Sequence, residues 1–181
     1  MSEQYDEDDL KEGDVLAGKY RVERVIGEGG MGLVVAAVHT VLEERVAIKM
    51  LHSHVVENEA IAARFLREAQ AAVKIKSPHV ARALDVGTLE SGAPFMVMEH
   101  LSGVTLGVYM EQEAPLGIEQ ACTFALQTCE ALAAAHAAGI IHRDIKPANL
   151  FVTQTPDGRE IVKVLDFGIS KVASDIGGAA L

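Results

Sequence analysis

The sequence predicts an α+β chain: an antiparallel five-stranded first half carrying one helix, then a mainly helical second half with one hairpin. Three observations carry this expectation. Residues 20–50 crowd β-branched side chains into short runs separated by glycines and a polar turn. The hydrophobic period then lengthens to a helical one over residues 58–75. Beyond Gly103 the longest periodic run is helical and closes on a glycine. With 181 residues, 49 % hydrophobic and only 4 % aromatic, the chain suits one domain or a tight pair of lobes with an Ala, Val, Leu and Ile core.

Each element has its own reason. Between Ser2 and Asp14 seven acidic residues stand against one lysine, so residues 1–15 are expected to be an acidic disordered tail. "YRVERVIG", "LVVAAVH" and "ERVAIKML" read as three strands of a meander. From Asn58 to Ile75 a helix would gather Ile61, Phe65, Ala72 and Ile75 on one stripe, widened by Leu66, Ala69 and Val73. Arg64, Arg67, Gln70 and Lys74 would fill the opposite arc, and Pro78 would end the segment. Strands are expected at Val80–Gly87 and Pro94–Glu99 around the turn "ESGA", and a helix at Ile118–Ala138 before Gly139. A last strand pair, Leu150–Thr153 and Ile161–Leu165, would close through "TPDG".

The charge of −10 argues against electrostatic binding of nucleic acid or an anionic membrane, which needs clustered Lys and Arg. No basic-then-apolar leader and no run of roughly 18 apolar residues is present, so a cytoplasmic chain without a membrane span is expected. Cys122 and Cys129, seven apart in an Ala-rich helical pattern, read as two small buried hydrophobes.

The chemistry begins at "IGEGGMGLVV", where Gly27, Gly29 and Gly32 have the GxGxxG spacing. A dinucleotide fingerprint would run from a strand into a helix, whereas Gly32 leads into a strand pattern, which favours a glycine hairpin. In "VAIKM", strand alternation puts Ala47 and Lys49 on one face and Val46, Ile48 and Met50 on the other. A small residue beside a cation suits a flat base and its phosphates. Glu68 falls within the apolar arc of the 58–75 helix and needs a cation, for which Lys49 is the natural candidate. "IIHRDIKPANLFV" is far more specific: Asp144 can accept a hydroxyl proton, Lys146 can neutralise a transferring phosphoryl group, and Asn149 can offer an oxygen to a metal. Asp166, in "VLDFGIS", would complete an oxygen pair for Mg²⁺.

These motifs together resemble the eukaryotic-type (Hanks-type) serine/threonine protein kinases that bacteria carry. The resemblance implies a kinase N-lobe over residues 16–101 and a partial C-lobe over 102–181. It implies a phosphate loop built from Ile26, Gly27, Glu28, Gly29, Gly30, Met31 and Gly32, with Val34 beneath the base and Ala47 beside it. Lys49 would hold the α- and β-phosphates, with Glu68 as its helix partner. Asp144 would be the catalytic base and Lys146 the γ-phosphate contact, with Asn149 and Asp166 the Mg²⁺ ligands. In "FMVMEHLSG", Met98 resembles a gatekeeper, Glu99 and Leu101 would offer backbone groups to adenine, and Phe151 would floor the pocket.

The implied activity is MgATP-dependent phosphorylation of protein Ser and Thr, the Lys146-Pro147 pair being typical of that specificity. ATP and protein substrates are the implied partners, and a kinase–kinase dimer is an implied assembly. The chain stops thirteen residues past Gly168, short of the family's remaining activation segment, Ala-Pro-Glu-type anchor and further helices. The apolar faces of Ile118–Ala138 and of the 150–165 hairpin are therefore expected to lie open. The same departure motivates an alternative, a non-catalytic ATP-binding or interaction module. A small-molecule phosphotransferase is disfavoured by the spelling of "HRDIKPAN" and "DFG".

Overall fold

The computed structural model describes residues 10–30, 32–113 and 115–167. They fall into two compact units, one formed by 10–70 and 83–100, the other by 71–82 and 101–167.

In the first unit, β1 (Val15–Leu16), β2 (Tyr20–Gly29), β3 (Gly32–His39) and β4 (Arg45–Leu51) are followed by the short α1 (Ser53–Val56) and by α2 (Glu59–Ala72). Strands β5 (Ala83–Thr88) and β6 (Pro94–Glu99) complete a sheet of order β1-β2-β3-β4-β6-β5, antiparallel throughout. The sheet has six strands, not the expected five. The addition is β1, whose Val15 and Leu16 pair with Arg21 and Tyr20 across a turn where Ala17 and Gly18 take φ of 48° and 66°. Two residues are too few to register as a period.

The expected tail is correspondingly shorter. Gly13 N–H donates to Val22 O at 2.9 Å and Val22 N–H to Asp14 O at 2.8 Å, while Leu10 packs against the core, so residues 10–14 belong to the fold. Residues 1–9 lie outside the described part of the chain.

Cross-strand register sorts the sheet's two faces. One carries Leu33, Val35, Ala37, Val46, Ile48, Met50, Phe95 and Val97, which bury one another together with Leu16, Tyr20 and Val22. The opposite face carries Val34, Ala36, Ala47, Lys49, Met96 and Met98. Helix α2 is shorter than expected, ending at Ala72, six residues before Pro78. Its buried residues are Ile61, Phe65 and Ala69, one every four residues, while Val73 is exposed beyond its end.

In the second unit, β7 (Gly103–Thr105) and α3 (Leu106–Glu113) precede α4 (Ile118–Ala137). A 3₁₀ turn, Pro147–Asn149, leads into β8 (Leu150–Gln154) and β9 (Glu160–Val164), and β7-β8-β9 form a small antiparallel sheet. Helix α4 ends in a Schellman cap: Ile140 N–H donates to Ala135 O and Gly139 N–H to His136 O, both at 2.9 Å, with Gly139 at φ 76°. The "TPDG" turn closes as expected, Gly158 N–H donating to Thr155 O at 2.8 Å with φ 83° at Gly158.

Residues 71–82 join this unit because Ile75 and Val80 are buried in its core, beside Phe124, Ala131, Ala135, Leu150, Val152, Val162 and Val164. Two expectations fail here. Cys122 and Cys129 are exposed, because the buried stripe of α4 is Phe124, Thr128, Ala131 and Ala135, and residue 122 stands about 200° around the helix from 124. The 150–165 hairpin is not open, since Val152, Val162 and Val164 are covered; α4, in contrast, leaves Ile118 and Leu126 86 % and 61 % exposed.

Core and surface substitutions should separate cleanly. Ile48→Ala, at a side chain with no exposure, is expected to cost about 2–5 kcal/mol. Val41→Ala, on an 80 % exposed side chain, should stay within about 0.5 kcal/mol of the parent in the same urea titration.

Candidate active site

The glycine run forms the tip of the β2–β3 hairpin. Gly27 pairs with Val34, Glu28 with Leu33 and Gly29 with Gly32, while Gly30 lies in the turn and Met31 falls outside the described residues. Ile26 is exposed at the base of this tip. Only glycine fits at 32, where a Cβ would stand 2.0 Å from the Met50 carbonyl oxygen. The ladder continues Gly27, Val34, Lys49, Met96 across β2, β3, β4 and β6, and Ala47 pairs with Met98 one step along. Val34, Ala47, Lys49 and Met98 therefore share the face opposite the main core, as the alternation in "VAIKM" predicts. Glu99, paired with Val46, ends β6 and is half-buried.

Glu68 takes a different partner from the one expected. Its Oε1 accepts from Arg64 Nε at 3.1 Å, one turn back on α2, and its Oε2 is buried without a hydrogen-bond partner. The i, i+4 spacing keeps Arg64 within reach wherever α2 sits, whereas an approach by Lys49 depends on how the helix meets the sheet. An unsatisfied buried oxygen costs about 1–3 kcal/mol, and it leaves Glu68 with one acceptor to spare.

In the second unit the polar residues converge on Asp144. Lys146 Nζ lies 2.9 Å from Asp144 Oδ2, and Asn149 Nδ2 donates both to that oxygen at 3.0 Å and to the Asp144 carbonyl at 2.8 Å. Asn149 is buried and fixed twice over by its backbone, donating to Lys146 O and accepting from Leu165 N–H, both at 2.9 Å. Its amide nitrogen is committed to Asp144, so its Oδ1 is the group left to accept or to ligate. Asp166 follows Leu165 at φ 53°, and Arg143 precedes Asp144 at φ 67°. Aspartate tolerates this left-handed region better than arginine does, so the strain of about 1–3 kcal/mol falls mainly on Arg143. Leu101 and Phe151 are half-buried, Phe151 sitting in β8 opposite Thr105 and Lys163.

Hydrogen bonding from Lys146 holds the Asp144 carboxyl below the usual carboxylate range, against the opposing effect of partial burial and with help from Asn149. At neutral pH the group is an anion whose second oxygen, Oδ1, can accept a further hydrogen bond.

Sequence reasoning noted His142 as part of the motif and assigned it no role. The structure supplies one: the ring is 2 % exposed, its Nε2–H donates to Leu165 O at 2.7 Å and its Nδ1 accepts from Asp144 N–H at 3.2 Å. One nitrogen donating and the other accepting fixes the neutral tautomer. The Phe167 ring meets the imidazole edge-on, with centroids 4.9 Å apart. His142 thus ties the segment before Asp144 to the segment before Asp166. The nearest signal in sequence was the apolar run that flanks each partner, which marks burial and not pairing.

With this geometry in hand, similarity to known proteins is informative. Residues 20–177 match the family model of the protein kinase domain. The serine/threonine-protein kinase pkn3 of Myxococcus xanthus is 42 % identical over 160 residues, covering 88 % of this chain and 29 % of that protein. A probable serine/threonine-protein kinase PknB of Lactococcus lactis is 40 % identical over 164 residues, covering 90 % of this chain and 25 % of that one. Among solved structures, the PknI kinase domain of Mycobacterium tuberculosis superposes with a TM-score of 0.74 at 29 % identity, over 89 % of this chain and 63 % of its own. The chain therefore spans less than a third of the length of these curated relatives.

The acidity of Asp144 should depend on its neighbours in the order given above. In a carboxyl-carbon NMR titration, Lys146→Met should raise its pKa toward the ordinary carboxylate range, and Asn149→Ala should raise it by less. Because the folded value is depressed, the pair's stabilisation is present above the unfolded value of about 4 and is lost as the pH falls through the folded one.

Proposed function

The chain belongs to the protein kinase domain family, and on that premise we propose that it is an ATP-dependent serine/threonine protein kinase. It moves the γ-phosphoryl group of MgATP to a protein Ser or Thr hydroxyl: the hydroxyl oxygen bonds to the γ-phosphorus, the bond to the β-phosphate oxygen breaks, and ADP leaves.

The observation that carries this reading is the Asp144 carboxylate, held by Lys146 and Asn149. A carboxylate of lowered pKa is a weak base toward an ordinary alcohol. It acts by orienting the hydroxyl through a hydrogen bond and by taking its proton late, once bonding to phosphorus has made that proton acidic. Lys146, exposed beside it, meets the charge on the phosphoryl oxygens.

The remaining roles follow the two units. In the first, Gly27, Gly29 and Gly32 bring backbone to the phosphates, Lys49 pairs with phosphate oxygens, and the spare Oε2 of Glu68 suits an ammonium partner such as Lys49. Ala47 leaves room for adenine among Val34 and Met98, and Glu99 provides backbone groups at the end of β6. In the second, Leu101 and Phe151 are the residues that the family resemblance assigns to adenine. Mg²⁺, when bound, neutralises phosphate charge and fixes the phosphate geometry.

Asn149 Oδ1 and the Asp166 carboxylate fit such an ion. Among the described residues no three His, Cys, Asp or Glu side chains converge as a metal cage, and Mg²⁺ takes one or two protein oxygens with phosphates and water completing the shell. Two free cysteines suit a reducing cytoplasmic setting. No described helix is long and apolar enough to cross a membrane.

Labelled ATP, Mg²⁺ and a generic basic protein test the proposal. Transfer should fall by at least about 10²-fold in Asp144→Asn and comparably in Lys49→Met. Transfer surviving Asp144→Asn at near-parental rate would overturn the assignment. No transfer by the parent, alongside a thermal shift with MgATP that Asp166→Asn removes, would favour a nucleotide-binding module instead.

A further inference from the structure

Gly29 and Gly30 bring no side chain to the tip of the glycine hairpin. A Cβ placed at Gly29 or at Gly30 would meet no atom within 4 Å, so packing does not hold this stretch, and glycine backbone is the most costly to order. A side chain from elsewhere reaches it. His52, directly after β4 and 91 % buried, places Nε2 at 3.0 Å from the carbonyl oxygen of Gly29, 23 residues away in sequence. The acceptor is a carbonyl, so the imidazole Nε2–H donates, in either its neutral Nε2–H tautomer or its cationic form. The ring plane is steadied by His54, stacked on it at 5.4 Å and 17°. The approach is independently secured by Gly32, which pairs with Leu51 and lies against the Met50 carbonyl, so that the end of β4 and the hairpin tip run side by side.

We propose that His52 is a positioning residue for the phosphate-covering loop, its imidazole N–H latching the Gly29 carbonyl. The inference rests on reading 26–32 as that loop. A carbonyl oxygen carries partial negative charge and repels phosphate oxygens. Engaging the Gly29 carbonyl with a donor just beyond β4 holds that oxygen in one place more firmly than its pairing with Gly32 alone would. The latch therefore favours nucleotides that carry phosphates and is indifferent to the base.

Side-chain geometry provides the test. Glutamine places an amide N–H close to where the histidine Nε2 lies, whereas asparagine reaches only as far as Nδ1 and phenylalanine keeps the ring without a donor. Amide hydrogen exchange over residues 26–33 without nucleotide should quicken roughly three- to tenfold in His52→Asn and His52→Phe, the worth of one hydrogen bond, and stay at the parental rate in His52→Gln. Affinity for MgATP should weaken by a similar factor in the first two variants while adenosine affinity is unchanged. Parental exchange in His52→Asn and His52→Phe, or a His52→Gln variant as fast as they are, would overturn the latch. Because exchange is read without nucleotide, an absence of ATP binding in every form, the parent included, counts against the phosphate-loop reading and not against the His52–Gly29 bond.

Discussion

A strand offers its side chains alternately to two faces, and in the six-stranded sheet that alternation serves two purposes at once. Val46, Ile48 and Met50 bury the first core from β4, and the same strand turns Ala47 and Lys49 to the other side, where Val34, Met96 and Met98 lie. Neither set can be moved alone. A slip of one residue in the β3–β4 pairing would bring Lys49 into the core and expel Ile48 from it, so the burial of β4 and the placement of its lysine are one constraint. Gly32 marks the limit of that register, because no residue with a Cβ fits against the Met50 carbonyl.

The second unit solves a different problem, the holding of an irregular loop. Residues 141–146 have no ladder of their own, and their polar groups are tied by side-chain bonds, a distant one from His142 to Leu165 and a local one from Asn149 to Asp144. The hairpin supplies the rigid support. Val152, Val162 and Val164 are buried beneath it, and the Leu165 N–H that ends it donates to Asn149 O. The chemistry of Asp144 is thereby set by contacts that also hold the fold, which explains why the loop tolerates Arg143 and Asp166 in left-handed conformations.

Glu68 carries the clearest unmet need in the first unit. One carboxylate oxygen is taken by Arg64 and the other is buried without a hydrogen bond, an arrangement with a free-energy cost that a second cation would relieve. A buried carboxylate oxygen left unsatisfied calls for a donor, and the proposed assignment gives Glu68 one in Lys49.

Much of the fold and of the site was legible in the residues alone. The β2–β3–β4 meander, the faces of β4, the length of α4 with its Gly139 cap, the "TPDG" hairpin and the polar cluster around Asp144 all depend on neighbours a few positions apart, where periodicity and turn chemistry act. What escaped depends on which distant groups meet. β1 exists only because Leu16 finds a place in a core built by later strands, and Cys122 and Cys129 are exposed because Phe124 and Ala131 define the face that α4 buries. Arg64 took the place foreseen for Lys49, and His52 and His142 found carbonyls 23 residues away. Sequence by itself determined the local elements and the inventory of reactive groups; tertiary structure decided the partners, because a hydrogen bond forms only within about 3 Å and that distance is set by packing, not by spacing along the chain.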